Sequence, residues 1–322
     1  MRSASLEKAW MGGRRRIARR MYVVHLFIRI PSYRLLILLL YTRQDWPGKF
    51  KILPATEVMI YMLWGASTSN LYPELTENSL QILLNLGFRQ IEIFFNTESE
   101  IAPTYLRGLR DRLQAVGAKV TSVHPYLSGT EPYLLFSQYE RRFQDGLGLY
   151  ERIFEAAAGL QAPYVIMHGD RREGVLPTNE SIARFESVYD LGRRYGVTLL
   201  QENVVRFRSS DNDYLRQMRR QLGEKAGFVF DFKQCRRCGY TAEEVLDAMG
   251  DRVLHIHLSD ATANKDCLPP GEGTAGLVQV LRGLRKNGFS GAVILELYRS
   301  NFEDPAALWK SMRRMAALLG EE

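Results

Sequence analysis

An alternation of short apolar strands with amphipathic helices repeats eight times between residues 59 and 322. The predicted strands lie near Tyr61–Ser67, Gln90–Phe95, Lys119–His124, Tyr164–His168, Thr198–Glu202, Gly227–Asp231, Val253–Leu258 and Ala292–Leu297. The predicted helices lie near Thr76–Leu86, Thr104–Val116, Gln138–Gly159, Glu180–Tyr195, Asp213–Leu222, Ala242–Met249, Gly276–Lys286 and Pro305–Leu319. Eight β/α units in about 260 residues predict an α/β fold, the (β/α)8 or TIM barrel.

A doubly wound open sheet is the competing fold for this alternation. Its first strand normally runs into a glycine-rich phosphate-binding turn. Here the first strand continues as Trp64-Gly-Ala-Ser-Thr-Ser, which contains neither Gly-x-Gly-x-x-Gly nor a Walker sequence. The barrel is therefore favoured.

Several residues predict where individual helices begin and end. Gly87 and Gly288 directly follow predicted helices, where a left-handed cap residue is common. Thr76 is predicted to cap the first helix, and Thr241 with Glu244 predicts a capping box.

Residues 1–58 differ from the rest of the chain, because an Arg-rich block, a Leu-rich run and three prolines show no sustained period. We expect them to be an N-terminal extension, either disordered or translated from an upstream start. Met59 and Met62 stand directly before the first clean strand. The barrel and its catalytic site are therefore predicted at 59–322.

Charge and cysteine content limit the classes of function. Of the net charge of +7, residues 1–58 carry +9 and residues 59–322 carry −2, so nucleic-acid binding by the barrel is not expected. Three cysteines do not make a disulfide framework, and the apolar run Met21–Tyr41 is interrupted by charges and Pro31. We therefore expect a cytoplasmic protein without a membrane segment.

Polar residues terminate the predicted strands. In a barrel the carboxyl ends of all strands meet at one mouth, where active sites lie. The residues predicted to share that mouth are Glu92, His124, His168, Glu202, Asp231, His257 and Glu296. Four consecutive strands end in Glu202, Asp231, His257 and Glu296, and three carboxylates with one imidazole are a ligand set for a divalent metal.

The other histidines receive less specific predictions. His255 shares the strand face of His257 and is expected to be a hydrogen-bonded interior residue. For His124 and His168 two interpretations have equal support: they are hydrogen-bond donors that line the pocket, or they are additional metal ligands.

Residues 59–322 resemble the xylose-isomerase-like TIM-barrel superfamily, in its sugar phosphate isomerase/epimerase group. The matching stretches are Ser122-Val-His-Pro, Met167-His-Gly-Asp, Gln201-Glu-Asn, Phe230-Asp-Phe-Lys, His255-Ile-His-Leu-Ser-Asp, Pro269-Pro-Gly-Glu-Gly and Ile294-Leu-Glu-Leu-Tyr. In relatives such as ketose 3-epimerases the matching Glu, Asp, His and Glu bind Mn²⁺, Mg²⁺, Co²⁺ or Zn²⁺. The resemblance thus implies a divalent metal ion on Glu202, Asp231, His257 and Glu296.

Two departures from the superfamily pattern affect this interpretation. Many relatives have a histidine two or three residues after the strand-six aspartate, where this chain has Lys233 and Gln234. The apurinic-endonuclease branch uses a histidine in the loop after strand seven, where this chain has none. A three-metal site is therefore not expected. Lys233 is either a proton-transfer or charge-stabilising group in place of the missing histidine, or an ordinary surface lysine.

The predicted reaction is proton abstraction next to a carbonyl, through a metal-stabilised enediolate. Glu202 and Glu296 are the predicted catalytic residues, one for each face of a sugar or sugar phosphate. The predicted substrate-binding residues are His124, His168, Lys233 and Arg299. Metal-dependent phosphoester hydrolysis and a barrel that binds a ligand without turnover are the alternatives, and a homo-oligomer is left open.

Two further features of the mouth carry weaker expectations. Cys235 and Cys238 form a C-x-x-C pair in a predicted loop, without the second pair that a structural zinc needs. Basic residues of the mouth loops, together with backbone amides of Pro269–Gly273, are candidates for anion binding. These basic residues are Arg171, Arg172, Arg206, Arg208, Lys233, Arg236, Arg237, Lys265 and Arg299.

Overall fold

The computed structural model describes residues 62–321 and two upstream strands, Met21–Ile30 (β1) and Tyr33–Thr42 (β2). These two strands pair antiparallel, with Met21 opposite Thr42 and Ile30 opposite Tyr33. The sequence predicted no regular structure here, although Val, Ile, Phe and Tyr favour extended backbone. The remainder of the predicted extension lies outside the described residues, so its disorder and its origin stay predictions.

A closed parallel barrel of eight strands forms the second unit, as the sequence predicted. Its strands are Leu63–Ser67 (β3), Gln90–Phe94 (β4), Lys119–His124 (β5), Tyr164–Met167 (β6), Thr198–Glu202 (β7), Phe228–Asp231 (β8), Val253–Leu258 (β9) and Ala292–Leu295 (β10). Each strand pairs with the next along the chain, and β10 closes the barrel against β3. The TIM-barrel fold is therefore confirmed.

All eight predicted helices are present, with bounds that differ by at most two residues. The helices are Thr76–Leu86 (α1), Pro103–Ala115 (α2), Glu131–Leu134 (α3), Glu140–Gly159 (α4), Thr178–Arg194 (α5), Asn212–Leu222 (α6), Phe232–Arg237 (α7), Ala242–Met249 (α8), Leu277–Lys286 (α9) and Ala306–Leu319 (α10). The short helices α3 and α7 were not predicted, because one or two turns give too few residues to show a helical period. Both follow strands at the carboxyl mouth.

The predicted caps are correct with one exception. Thr241 and Glu244 form both hydrogen bonds of the capping box, and Gly87 and Gly288 adopt φ values of 107° and 90°. Thr76 is not a cap but the first residue of α1, and its hydroxyl donates to the carbonyl of Phe94, 3.2 Å away. The Thr76 hydroxyl therefore binds the end of strand β4 and does not cap helix α1.

An apolar layer inside the barrel supports the mouth. Ile166, Leu200 and Val229 are fully buried and pack together as a cluster separate from the larger core between strands and helices. Side chains two residues apart on a strand share a face. The residues two positions further along, at the carboxyl ends of β6, β7 and β8, are His168, Glu202 and Asp231. On these three strands the polar residues of the mouth therefore lie directly above apolar side chains.

None of the helices among the described residues combines the length and apolar character needed to cross a membrane. The cytoplasmic location predicted from the sequence stays a prediction.

Removal of residues 1–58 is expected to leave the barrel intact. Its closing contacts lie within the described barrel: the Leu63 amide donates to the Gly291 carbonyl at 3.1 Å, and the Trp64 indole donates to Glu321 at 2.6 Å. A chain that begins at Met59 should be soluble, with the Tm of the full chain in differential scanning calorimetry. Insolubility or a large decrease in Tm would show that the extension is structural.

Candidate metal centre

The four predicted metal ligands meet at the carboxyl mouth of the barrel. Glu202 ends β7, Asp231 ends β8, His257 lies near the end of β9, and Glu296 follows β10. Each offers a ligand atom within 4.8 Å of the others. His257 Nδ1 lies 3.2 Å from Glu202 Oε1, 3.4 Å from Glu296 Oε2 and 3.8 Å from Asp231 Oδ2. We refer to these four residues as the quartet.

Asp231 is oriented by the start of helix α7. Its Oδ1 accepts a hydrogen bond from the Gln234 amide at 2.8 Å and thereby caps the helix. Asn203 fixes the backbone of the same residue, since it accepts from the Asp231 amide and donates to the Asp231 carbonyl. With one oxygen and the backbone held, Asp231 Oδ2 is left to face the quartet.

His257 is oriented by Glu92, which the sequence placed at the mouth but did not assign to the site. Glu92 Oε2 lies 3.0 Å from His257 Nε2 and also accepts from the Ser122 hydroxyl at 2.7 Å. The same oxygen lies 3.2 Å from Nε2 of His255, which is buried and hydrogen-bonded as predicted. A carboxylate on one ring nitrogen turns the other nitrogen towards a metal.

His124 and His168 form a second group that shares Glu202 with the quartet. Their Nε2 atoms are 3.1 Å apart and lie 3.6 Å and 3.0 Å from Glu202 Oε2. The backbone of His168 is anchored by Glu131 of helix α3, which accepts from the amides of His168 and Gly169. Glu131 had no signal in the sequence, because its role arises only when the unpredicted helix α3 forms.

Lys233 lies inside the site, and the structure does not support the alternative of a surface lysine. Its side chain is 6% exposed, and Nζ lies 2.9 Å from Glu296 Oε2 and 3.3 Å from Asp231 Oδ2. Arg299, by contrast, contacts none of the quartet in the described part of the chain. Its guanidinium donates to the carbonyls of Phe302 and Glu303, so its substrate-binding role stays a prediction.

Burial and charge shift the protonation of the quartet. Burial raises the pKa of Asp231 to about 7, against the opposing charge of Lys233. Burial alone would also raise the pKa of Glu202 and Glu296, but His257 for the first and Lys233 for the second hold each pKa below its usual range. The pKa of His257 is raised despite burial, because the surrounding carboxylates favour its cation. The carboxylates therefore lie beside two cations that they favour, His257 and Lys233, and these charges largely offset one another.

The donor set fits a divalent metal ion. Glu202 Oε2 and Asp231 Oδ2 are fully buried and accept no hydrogen bond of good geometry from the described residues, although His168 Nε2 and Lys233 Nζ lie within ion-pair distance of them. Buried carboxylate oxygens rarely lack hydrogen-bond partners, so each such atom calls for an explanation. Carboxylates with one imidazole suit Mn²⁺, Mg²⁺, Co²⁺ and Zn²⁺. A metal at the quartet would provide a partner for Asp231 Oδ2, whereas Glu202 Oε2 faces His124 and His168.

The structure does not support a zinc or redox site at the two cysteines of the mouth. Cys235 and Cys238 are free thiols, and neither joins a potential ligand group within 62–321. Cys235 belongs to helix α7 rather than to the predicted loop, and its thiol donates to the Tyr240 carbonyl. Burial raises the pKa of the Cys235 thiol to about 12, which opposes metal binding and redox use.

The amides predicted to bind an anion are also occupied. Gly271, Gly273 and Ala275 donate their amides to the carboxylate of Asp260, which thereby shapes the loop after β9. Arg208 likewise donates to Asp170 at 2.6 Å and is used internally. The structure contradicts an anion site on these groups.

The closed parallel barrel of eight strands, with carboxylates and histidines at its carboxyl mouth, is a TIM barrel. The chain belongs to the family described as the xylose isomerase-like TIM barrel, whose sequence profile matches residues 80–318. The resemblance seen in the sequence is therefore confirmed.

The relatives share little sequence identity with this chain, but each alignment covers nearly the whole length of the relative. The chain is 22% identical over 294 residues to an uncharacterized protein of Methanocaldococcus jannaschii, covering 85% of this chain and 96% of that one. It is 21% identical to fructoselysine 3-epimerase of Escherichia coli O157:H7, covering 76% and 94%. A D-tagatose 3-epimerase-like protein has a similar structure, with a TM-score of 0.67, 19% identity and coverage of 81% and 99%.

Proposed function

We propose that this protein is a metal-dependent isomerase or epimerase of a sugar or sugar phosphate. The observation that carries the proposal is the quartet, in which two glutamates from β7 and the end of β10 approach one imidazole. The names of two relatives, fructoselysine 3-epimerase and D-tagatose 3-epimerase-like protein, support the same substrate class.

Glu202, Asp231, His257 and Glu296 would hold the divalent ion. A bound Mn²⁺, Mg²⁺, Co²⁺ or Zn²⁺ would polarise the substrate carbonyl and stabilise negative charge on the adjacent oxygens. The chain supplies a preorganised set of oxygens for this role, because Asp231 and His257 are each fixed by a hydrogen bond to their other polar atom.

Glu202 and Glu296 are the proposed acid–base residues. Strands β8 and β9 separate them in the barrel, so their carboxylates approach a bound substrate from different sides. One carboxylate removes the proton from the carbon next to the carbonyl, and the other returns a proton to the opposite face, which inverts that carbon. Return of the proton to the neighbouring carbon instead gives aldose–ketose isomerisation.

His124, His168 and Lys233 are proposed to bind the substrate. His168 is 17% exposed on its side chain, and its ring packs edge-on against Phe207, 5.4 Å between centroids. Such a ring beside an aromatic face suits one hydroxyl-bearing edge of a sugar. Arg299 is also proposed as a substrate-binding residue, on the sequence alone.

A metal-dependent phosphoester hydrolase is the second candidate, favoured by the group formed by His124, His168 and Glu202. A hydrolase of that kind commonly uses two metals a few ångström apart. Elemental analysis of purified protein is expected to give one divalent ion per chain. Two or more would favour the hydrolase, and none after growth in metal-rich medium would favour a binding barrel.

Replacement of either proposed acid–base residue should abolish most turnover. Glu202→Gln and Glu296→Gln keep the shape but remove the base, so each should decrease turnover about a hundredfold or more with metal in excess. Incorporation of deuterium from solvent into ketoses and sugar phosphates, followed by NMR, measures the proton transfer directly. Glu173→Gln, on an exposed residue of the mouth loops, is the matched control.

Full activity in both variants would remove these residues from the mechanism. Turnover by the unmodified protein without solvent exchange would argue against proton transfer.

Glu92→Gln should weaken metal binding without removing a ligand. The substitution takes away the charge that holds His257 Nε2, and losses of hydrogen bonds to ligating histidines typically reduce metal affinity by about 10–100-fold. Isothermal titration of metal-free protein with Mn²⁺ measures the effect, with Glu173→Gln as control. Unchanged affinity would show that the orientation of His257 does not depend on Glu92.

A further inference from the structure

The ammonium of Lys233 contacts the same oxygens that would bind the metal. Its Nζ lies 2.9 Å from Glu296 Oε2 and 3.3 Å from Asp231 Oδ2. These two atoms are also the ones nearest to His257 Nδ1 in their residues. A metal at the quartet and the ammonium in its present position would therefore compete for the same lone pairs.

Lys233 balances part of the negative charge of the buried carboxylates. Glu202, Asp231 and Glu296 bring three buried carboxylates together, and buried charges are costly unless they are paired. Lys233 is the only lysine within ion-pair distance of the quartet among residues 62–321. The carboxylates thus have a positive partner even without a metal.

We propose that Lys233 is an internal substitute cation, which holds the quartet together without metal and is displaced when a divalent ion binds. The inference rests on the proposed metal centre and adds that this chain builds a competitor into it.

The structure also offers a position for the displaced ammonium. The ring of Tyr298 lies 5.3 Å from Nζ, and Tyr298 is 46% exposed at the mouth. An ammonium over an aromatic face is stabilised by the ring's charge distribution. Lys233 shares this ring with Arg237, whose guanidinium lies 5.4 Å from its centroid. A rotation of the lysine chain that keeps the contact with the ring and moves the ammonium off Asp231 and Glu296 would free both carboxylates.

The metal affinity of variants at Lys233 tests the proposal. Metal-free protein is prepared by dialysis against a chelator, and Mn²⁺ binding is measured by isothermal titration for the full chain and for Lys233→Met, Lys233→Gln and Lys233→Arg. Lys233→Met and Lys233→Gln should bind Mn²⁺ about tenfold more tightly or better, because no ammonium has to leave. Lys233→Arg keeps the charge and should remain near the parent. Lys265→Met, an exposed lysine of the loop after β9, is the control.

The thermal stability of the same proteins without metal provides an independent measurement. Loss of the ammonium leaves His257 as the remaining ion-pair partner of Asp231 and Glu296 among the described residues, so Lys233→Met should lower the metal-free Tm by roughly 5 °C or more. Saturating Mn²⁺ should then raise its Tm more than it raises that of the parent.

Equal or weaker Mn²⁺ affinity in folded Lys233→Met and Lys233→Gln would overturn the proposal, as would the absence of Mn²⁺ binding in every variant. Binding by these variants but not by the parent would support the competition while contradicting the proposed metal-dependent activity. Tighter binding without any proton exchange on sugars would likewise support the competitor and contradict the proposed function alone.

Discussion

The convergence of buried carboxylates at the mouth of the barrel is the constraint on which the rest of the site depends. Each ionised carboxylate taken out of water costs several kcal/mol unless cations or hydrogen bonds replace the lost solvent. Glu92, Glu202, Asp231 and Glu296 are all fully or largely buried. Their neighbours are therefore largely determined by charge: histidines between the carboxylates, one lysine, and, for Asp231, a backbone amide at the oxygen that points away from the centre.

The buried charges lie above an apolar layer, so only the ion pairs and hydrogen bonds among the polar groups of the mouth stabilise them. Side chains alternate along each strand, so the face that carries Ile166, Leu200 and Val229 carries polar groups two residues later. The lower layer excludes water and fixes the strand ends, while the upper layer opens to the mouth. The same alternation explains how His255 and His257, on one face of β9, have different surroundings. His255 lies deeper, where burial lowers its pKa, whereas the carboxylates raise the pKa of His257.

The alternation of strands and helices, and the residues that meet at the mouth, could be predicted from the sequence because both depend on local patterns. Strand ends carrying Glu, Asp, His and Glu in order needed only the knowledge that these ends converge. The residues that orient these side chains were harder to predict from the sequence. Glu131 acts from a four-residue helix, and Asp231 caps a six-residue one, so neither produces a period. Lys233 is the most informative case: two positions beyond a strand end, its direction depends on helix α7, which the sequence did not reveal.

Helix α7 connects the stability of the centre to its chemistry. Because Asp231 caps this helix through Oδ1, the first turn of α7 and the free Oδ2 are positioned by one carboxylate. The same turn carries Lys233 back over Asp231 and onto Glu296, so the helix that consumes one oxygen of the aspartate supplies the cation for the other. A lysine at this place on a flexible loop would lose more conformational freedom on pairing. Helix α7 therefore holds Lys233 in a buried ion pair with Asp231 and Glu296, whose carboxylates would otherwise repel each other.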